Sequence, residues 1–164
     1  MKVKVILIAL VITAIPLILF MSNNRLQKTS TPFFAIYLVD SLSIEEALNE
    51  DIEKILLKEN AIISIDNLSK YQWETHEFQL IDSINIGEIP LTGEPFVLVA
   101  DGERIYVGSF WNKLSSAIAP DVTIINVPGD SINKYKIEYK HNEQKDIRND
   151  MRIYNGLKKA SKLQ

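Results

Sequence analysis

The chain has no cysteine among its 164 residues. That excludes disulfides, thiol catalysis, thiolate metal sites and the acylated cysteine of a lipoprotein. It also argues against a eukaryotic secreted domain, where bridges are common at this size, and fits a bacterial cell-surface protein better. Histidine is scarce: His76 and His141 are the two, so any zinc or acid-base site would need carboxylates to complete it. The six glycines are scattered and make no phosphate-binding loop. A metalloprotease helix motif, a nucleophile elbow and a calcium loop are absent too. The sequence contains no internal repeat or low-complexity run, and a net charge of −3 makes nucleic acid a poor partner.

Charge is missing altogether from Val5 to Met21, VILIALVITAIPLILFM, directly behind Met-Lys-Val-Lys. As a helix at ~1.5 Å per residue this run measures ~25 Å, near the short end of what crosses a ~30 Å hydrocarbon core. Lys2 and Lys4 extend it by snorkelling, and Pro16 is tolerated where neighbouring groups re-satisfy the backbone. Three readings compete. An uncleaved anchor is favoured; a cleaved signal lacks its small-x-small site because Phe20 is bulky; a buried core helix would leave no polar face. The amino terminus, Lys2 and Lys4 outweigh Arg25 and Lys28, which places the bulk outside the cytoplasm. The lipid bilayer is thus the first expected partner. Residues 1–21 are expected as a transmembrane signal anchor, 22–32 as a flexible linker, and 33–164 as one extracytoplasmic domain large enough for its own core.

Within that domain charge is segregated. Residues 40–103 carry fifteen acids against three lysines, a net −12, whereas residues 104–164 carry eleven bases against six acids, a net +5. The two halves attract each other, which in one domain means complementary surfaces.

Local signals suggest an α+β fold with a mainly antiparallel sheet, a central hairpin and a carboxy-terminal amphipathic helix. Phe33 to Val39 reads as a buried strand. Ser43-Ile44-Glu45-Glu46 has capping-box spacing and starts a short helix; from Asp51 onward a strand is slightly favoured over continued helix. Ala61 to Ile65 is apolar and leads into a capped turn at Ser64 to Asn67. Tyr71 to Ile81 alternates as a single strand, with Trp73, Thr75 and Glu77 on one face and His76, Phe78 and Leu80 on the other. Gly87, Pro90, Gly93 and Pro95 mark a loop.

Pro95 to Trp111 is the clearest element, two β-rich runs around the turn pair Asp101-Gly102. A two-residue turn pairs Val99 with Arg104, Leu98 with Ile105 and Val97 with Tyr106. It sets Phe96, Leu98, Ile105 and Val107 on the core face, with Val97, Val99, Arg104 and Tyr106 opposite. Trp111 to Ala119 reads as a short helix or turn, and Val122 to Val127 and Tyr135 to Tyr139 as strands around Pro128-Gly129-Asp130. A last helix, capped by Asn149 or Asp150, carries an apolar stripe of Met151, Ile153, Tyr154, Leu157 and Ala160, with Arg152, Lys158, Lys159 and Lys162 around it.

Chemistry is thin. Glu74 with His76, and His141 with Glu143, could form a zinc or general acid-base site if they met in space. Ser109 and Ser115 have no identifiable base, and Asp101 is accounted for by its turn. Tyr71, Trp73 and Trp111 are more often core than platform residues; together with His76 they are the candidates for an interaction surface. No cofactor is implied.

The stretch VLVADGERIYVGSF, followed by SSAIAPDVTII, resembles the strand, Asp-Gly turn, strand pattern in the extracytoplasmic head domain of the SecD family of protein-export subunits. The resemblance covers about a third of the chain, Phe78 to Val127. It implies an α+β head outside the membrane that contacts polypeptide. Those subunits cross the membrane several times and this chain is expected to cross once, so the domain type carries over and the export activity does not. WETHEF and RNDMRIYNGLKKA resemble parts of small bacterial surface proteins. The favoured function is a membrane-anchored, extracytoplasmic, non-enzymatic module binding a protein or envelope component. The alternative is a cell-surface hydrolase using His76 with nearby carboxylates.

Overall fold

A computed structural model describes residues 33–81, 92–126, 133–141 and 145–164. The expected anchor at 1–21, the linker at 22–32 and the turn at Pro128-Gly129-Asp130 lie outside the described residues. Among the described residues no helix is long and apolar enough to cross a membrane. The elements in order are β1 (Ala35–Leu38), α1 (Ile44–Asn49), β2 (Ile63–Ser64), β3 (Leu68–Gln72), β4 (Glu77–Leu80), β5 (Thr92–Ala100), β6 (Glu103–Trp111), β7 (Val122–Asn126) and β8 (Lys134–Tyr139). A 3-10 turn at Ile147–Asn149 and helix α2 (Met151–Lys159) complete the domain. The fold is α+β, built on one mainly antiparallel sheet with a carboxy-terminal helix.

The strands form a single sheet in the order β2-β1-β5-β6-β7-β8-β4-β3, antiparallel except for β6 against β7. Its outermost strands, β2 and β3, are neighbours in sequence, joined only by the turn at residues 65–67. Four residues of chain reach at most ~14 Å, so the two edges of the sheet approach each other there and the sheet must curl. Asn67 holds this corner: its Oδ1 accepts from the Ser64 amide and hydroxyl at 2.8 Å each. The curl encloses one core to which every strand contributes, among them Ile36, Ile63, Tyr71, Phe78, Leu98, Phe110, Ile124 and Ile137. Ile153 and Leu157 of α2 complete it.

The outer face of β1, β5 and β6 is covered separately. Val39, Ala47 and Ile55 pack there against Val97 and Val99. The capping box of α1 forms as expected, with the Ser43 amide donating to Glu46 at 2.8 Å and the Glu46 amide to Ser43 at 3.3 Å. The strand expected from Asp51 does not form. Residues 52–54 turn instead, and only Leu57 bridges to Val39. Two backbone carbonyls in this segment, of Ile52 and Ile55, accept from the Arg104 guanidinium, which adds to the backbone bonds flanking Leu57, from the Asp40 amide to the Leu56 carbonyl and from the Lys58 amide to the Leu38 carbonyl.

The central hairpin is present, with Asp101 and Gly102 both at positive φ, 52° and 78°, as a type I′ turn requires. Val99 pairs with Arg104 as expected, but Leu98 pairs with Tyr106 and Val97 with Val107. Ile105 is the extra residue of a β-bulge, and a one-residue slip reverses the faces beyond it. Tyr106 therefore points into the core beside Phe96, with ring centroids 6.5 Å apart, and Val107 points outward. Gly102→Ala is expected to cost about 1–2 kcal/mol, because a Cβ is unfavourable at that backbone angle. A urea-unfolding midpoint unchanged from wild type would refute this.

Two further expectations shift and one resolves. Residues 71–81 form two strands, not one, with the chain reversing at residues 73–76. Of the short helix or turn expected from Trp111 to Ala119, the turn is what forms, at residues 113–114. Helix α2 starts at the Asp150 cap, whose side chain accepts from the Arg152 amide at 2.9 Å. It buries Ile153, Gly156 and Leu157, whereas Met151, expected on the apolar stripe, is exposed.

Candidate functional site

The tip of the β3–β4 hairpin builds the best-defined polar arrangement among the described residues. The reversal needs a left-handed residue, and His76 supplies it at φ 54°. This turns its side chain inward, where it is 3 % exposed beside Tyr71 at 1 %. Tyr71 Oη lies 3.0 Å from His76 Nδ1, and Asp146 Oδ2 lies 3.9 Å from Nε2. The carboxylate favours the tautomer protonated on Nε2, which leaves Nδ1 to accept from the tyrosine.

Arg148 anchors the acid. Its Nε donates to Asp146 Oδ1 at 2.9 Å and its Nη2 to Oδ2 at 2.6 Å, the bidentate geometry that suits a guanidinium. The third arm, Nη1, donates to the Ile137 carbonyl at 2.8 Å. The Ile137 amide in turn donates to the His76 carbonyl at 3.0 Å. The network thus joins β3, the hairpin tip, β8 and the 3-10 turn.

Its electrostatics are those of a clamp. Burial, reinforced by the nearby Arg148 charge and only partly countered by Asp146, pulls the His76 pKa down to about 4. Burial pushes the Tyr71 hydroxyl well above its ordinary range. The Arg148 hydrogen bonds hold Asp146 below the usual carboxylate range. The order Tyr, His, Asp superficially matches a nucleophile relay, but a working nucleophile must lose its proton readily and reach substrate. Here the hydroxyl is harder to ionise than in water, the imidazole is a weak base, and both are buried. Glu74 and His76, expected on one strand face, are separated by the turn: Glu74 is exposed and His76 is inside. His141 pairs with Asp121 at 2.6 Å and Glu143 lies outside the described residues. Among the described residues no group of three or more His, Asp or Glu could hold a metal ion.

Trp73 lies over this clamp, its ring centroid 5.5 Å from that of His76, 6.2 Å from that of Tyr71 and 5.1 Å from that of Tyr154 on α2. Trp73 and Tyr154 are half-buried and border an open groove of about 630 Å³ lined also by Gln72, Glu74, Thr75, Leu163 and Gln164. The tail that forms its far wall is pinned to the edge of β3. The Tyr71 amide donates to the Lys162 carbonyl at 2.7 Å, the Gln164 amide to Tyr71 at 2.9 Å, and the Trp73 amide to Gln164 at 3.3 Å.

Of the four aromatic and histidine candidates, the structure gathers Tyr71, Trp73 and His76. Tyr71 and His76 support the groove from beneath, and Trp73 lines it. Trp111 is elsewhere, at the end of β6, 8 % exposed and packed against Gly93. Asp146 and Arg148, two residues apart before a helix, carry a capping signal in the sequence but no sign of the histidine they face. Gln72 is the neighbour of Trp73 in the chain, whereas Tyr154, read as part of a helix's apolar stripe, and Gln164 meet Trp73 only through the fold.

The geometry defines a curled-sheet α+β domain with an aromatic groove set over a buried polar clamp. Comparison of the chain with protein-family models, curated proteins and solved structures finds no match.

Proposed function

We propose that the chain is a membrane-anchored, extracytoplasmic, non-enzymatic binding module whose ligand occupies the Trp73–Tyr154 groove. The groove itself carries this reading. Its volume falls within the ~300–1,000 Å³ of small-molecule sites, and it combines two aromatic rings with amide, hydroxyl and carboxylate side chains on backbone that is already hydrogen-bonded. Such a surface binds without reorganising, which keeps the ordering cost low. The polar clamp beneath it supports the same reading, since its groups are tuned away from proton transfer. The apolar run at residues 5–21 supports the anchored, outward-facing placement.

Two measurements test it. After a carbonate wash the full chain should sediment with membranes, and protease added to intact cells should reach residues 33–164; recovery in the soluble cytosolic pool would overturn the placement. The Trp111→Phe protein keeps Trp73 as its one tryptophan, since the chain has two. Its emission should shift saturably with solubilised envelope material and need about tenfold more of it in Glu74→Ala. No shift, or turnover of a hydrolysable component that His76→Asn abolishes, would overturn the binding reading.

A further inference from the structure

We infer that the ligand of this groove is a neutral pyranose oligosaccharide, an inference that rests on reading the groove as the ligand site. A sugar ring has an apolar face of C–H groups and an edge of hydroxyls that both donate and accept. The groove offers the complement of each. Trp73 and Tyr154 supply half-buried aromatic surface, and aromatic rings attract the positive edges of C–H bonds. Around them, Gln72 and Gln164 carry amides that donate and accept, Thr75 a hydroxyl, and Glu74 a carboxylate that only accepts. Part of this polar edge is preset, because Thr75 Oγ1 donates to Gln72 Oε1 at 3.3 Å.

Other ligand classes fit less well. Glu74 is the one charged side chain among the described lining residues and repels a phosphate or another anion; Lys158, whose Nζ lies 5.7 Å from the Tyr154 ring centroid, is not among them. A polypeptide adding to the sheet edge would need free backbone donors and acceptors on β3. The chain's own tail already takes them at Tyr71 and Trp73. A proline-rich segment, which docks on aromatic grooves without edge pairing, is the competing occupant. Its prolines have no N–H to give Glu74, and their carbonyls accept from the glutamine amides but donate nothing to the amide oxygens.

The test uses full-length Trp111→Phe protein in detergent, titrated with tri-N-acetylchitotriose, cellotriose, maltotriose and octaproline while Trp73 emission is followed. At least one trisaccharide should saturate the signal with a midpoint below about 1 mM. Glu74→Ala and Gln164→Ala, both at exposed positions, should each weaken binding about tenfold without changing the melting temperature. The sugar assignment is overturned if no trisaccharide saturates below about 10 mM, or if both variants bind as wild type does. Saturation by octaproline alone would replace the ligand class and keep the binding module. Silence toward all four probes and toward envelope material would remove both.

Discussion

Replacing Gly156 by alanine is expected to lower the melting temperature of the full chain by ~10 °C, although alanine is the better helix former. A Cβ at this position would lie 2.2 Å from the Phe33 carbonyl oxygen and 3.0 Å from its carbon. Those are backbone atoms, which cannot rotate aside as a side chain could. Phe33 directly precedes Phe34 and β1, where Phe34 and Ile36 are fully buried. Relief must therefore come from α2 moving outward, which draws Ile153 and Leu157 out of the core they complete. Overpacking typically costs ~1–3 kcal/mol and occasionally more; a contact this short with backbone belongs above that range, at ~3–4 kcal/mol, and the ~1 kcal/mol gain in helix propensity offsets only part. A net loss of ~2–3 kcal/mol corresponds to that ~10 °C in a domain of this length. Thermal unfolding followed by circular dichroism checks it. A Gly156→Ala protein melting at or above the wild-type temperature would show that α2 is free to shift.

Acidification between pH 6.5 and 4 should destabilise the protein by ~3 kcal/mol through His76 alone. Its folded pKa of about 4 lies below the ordinary 6.5, so in this window the unfolded chain binds the proton and the folded chain resists it. Stability is complete above 6.5, falls by ~1.4 kcal/mol per pH unit and levels off once the folded form also protonates. The groups around the ring are Tyr71, Asp146, Arg148 and Lys136. Asp146 and Asp150, both held low by arginine hydrogen bonds, add their own losses at more acid pH, below the window. His76→Asn removes the titration and keeps a residue that tolerates the positive φ. Urea midpoints at pH 6.5 and 4.5 should differ widely in wild type and little in the variant. Equal slopes in the two proteins would place the acid sensitivity elsewhere.

Elements specified by a few adjacent residues were legible in the sequence. Asp101-Gly102 marked its turn because few residue pairs accept two positive φ angles. Ser43 with Glu46 marked the start of α1 through reciprocal hydrogen bonds within one turn; Asn149 and Asp150 both offered a cap for the last helix, and Asp150 takes that place by accepting from the Arg152 amide. Tyr71 to Ile81 misled because its alternation is genuine on both sides of a reversal that no glycine, proline or asparagine announces; the left-handed residue is His76. Of the three expected pairs of β5 with β6, the one next to the turn held, Val99 with Arg104. The register failed beyond Ile105, because a bulge is selected by what lies above and below the strand and has no fixed residue signature.

By itself, then, the sequence settled the local punctuation, the exclusion of cysteine chemistry, the α+β class and which runs were apolar enough to be buried. These follow from backbone geometry and side-chain type within a few residues. Tertiary structure alone decided that the sheet curls so that β2 and β3, its two edges, are joined by a single turn, that His76 faces Asp146 across about seventy residues of chain, and that Trp73 and Tyr154 share a groove. Each of these depends on strand order, and strand order is set by how eight short elements jointly bury one core, a property that no single segment encodes.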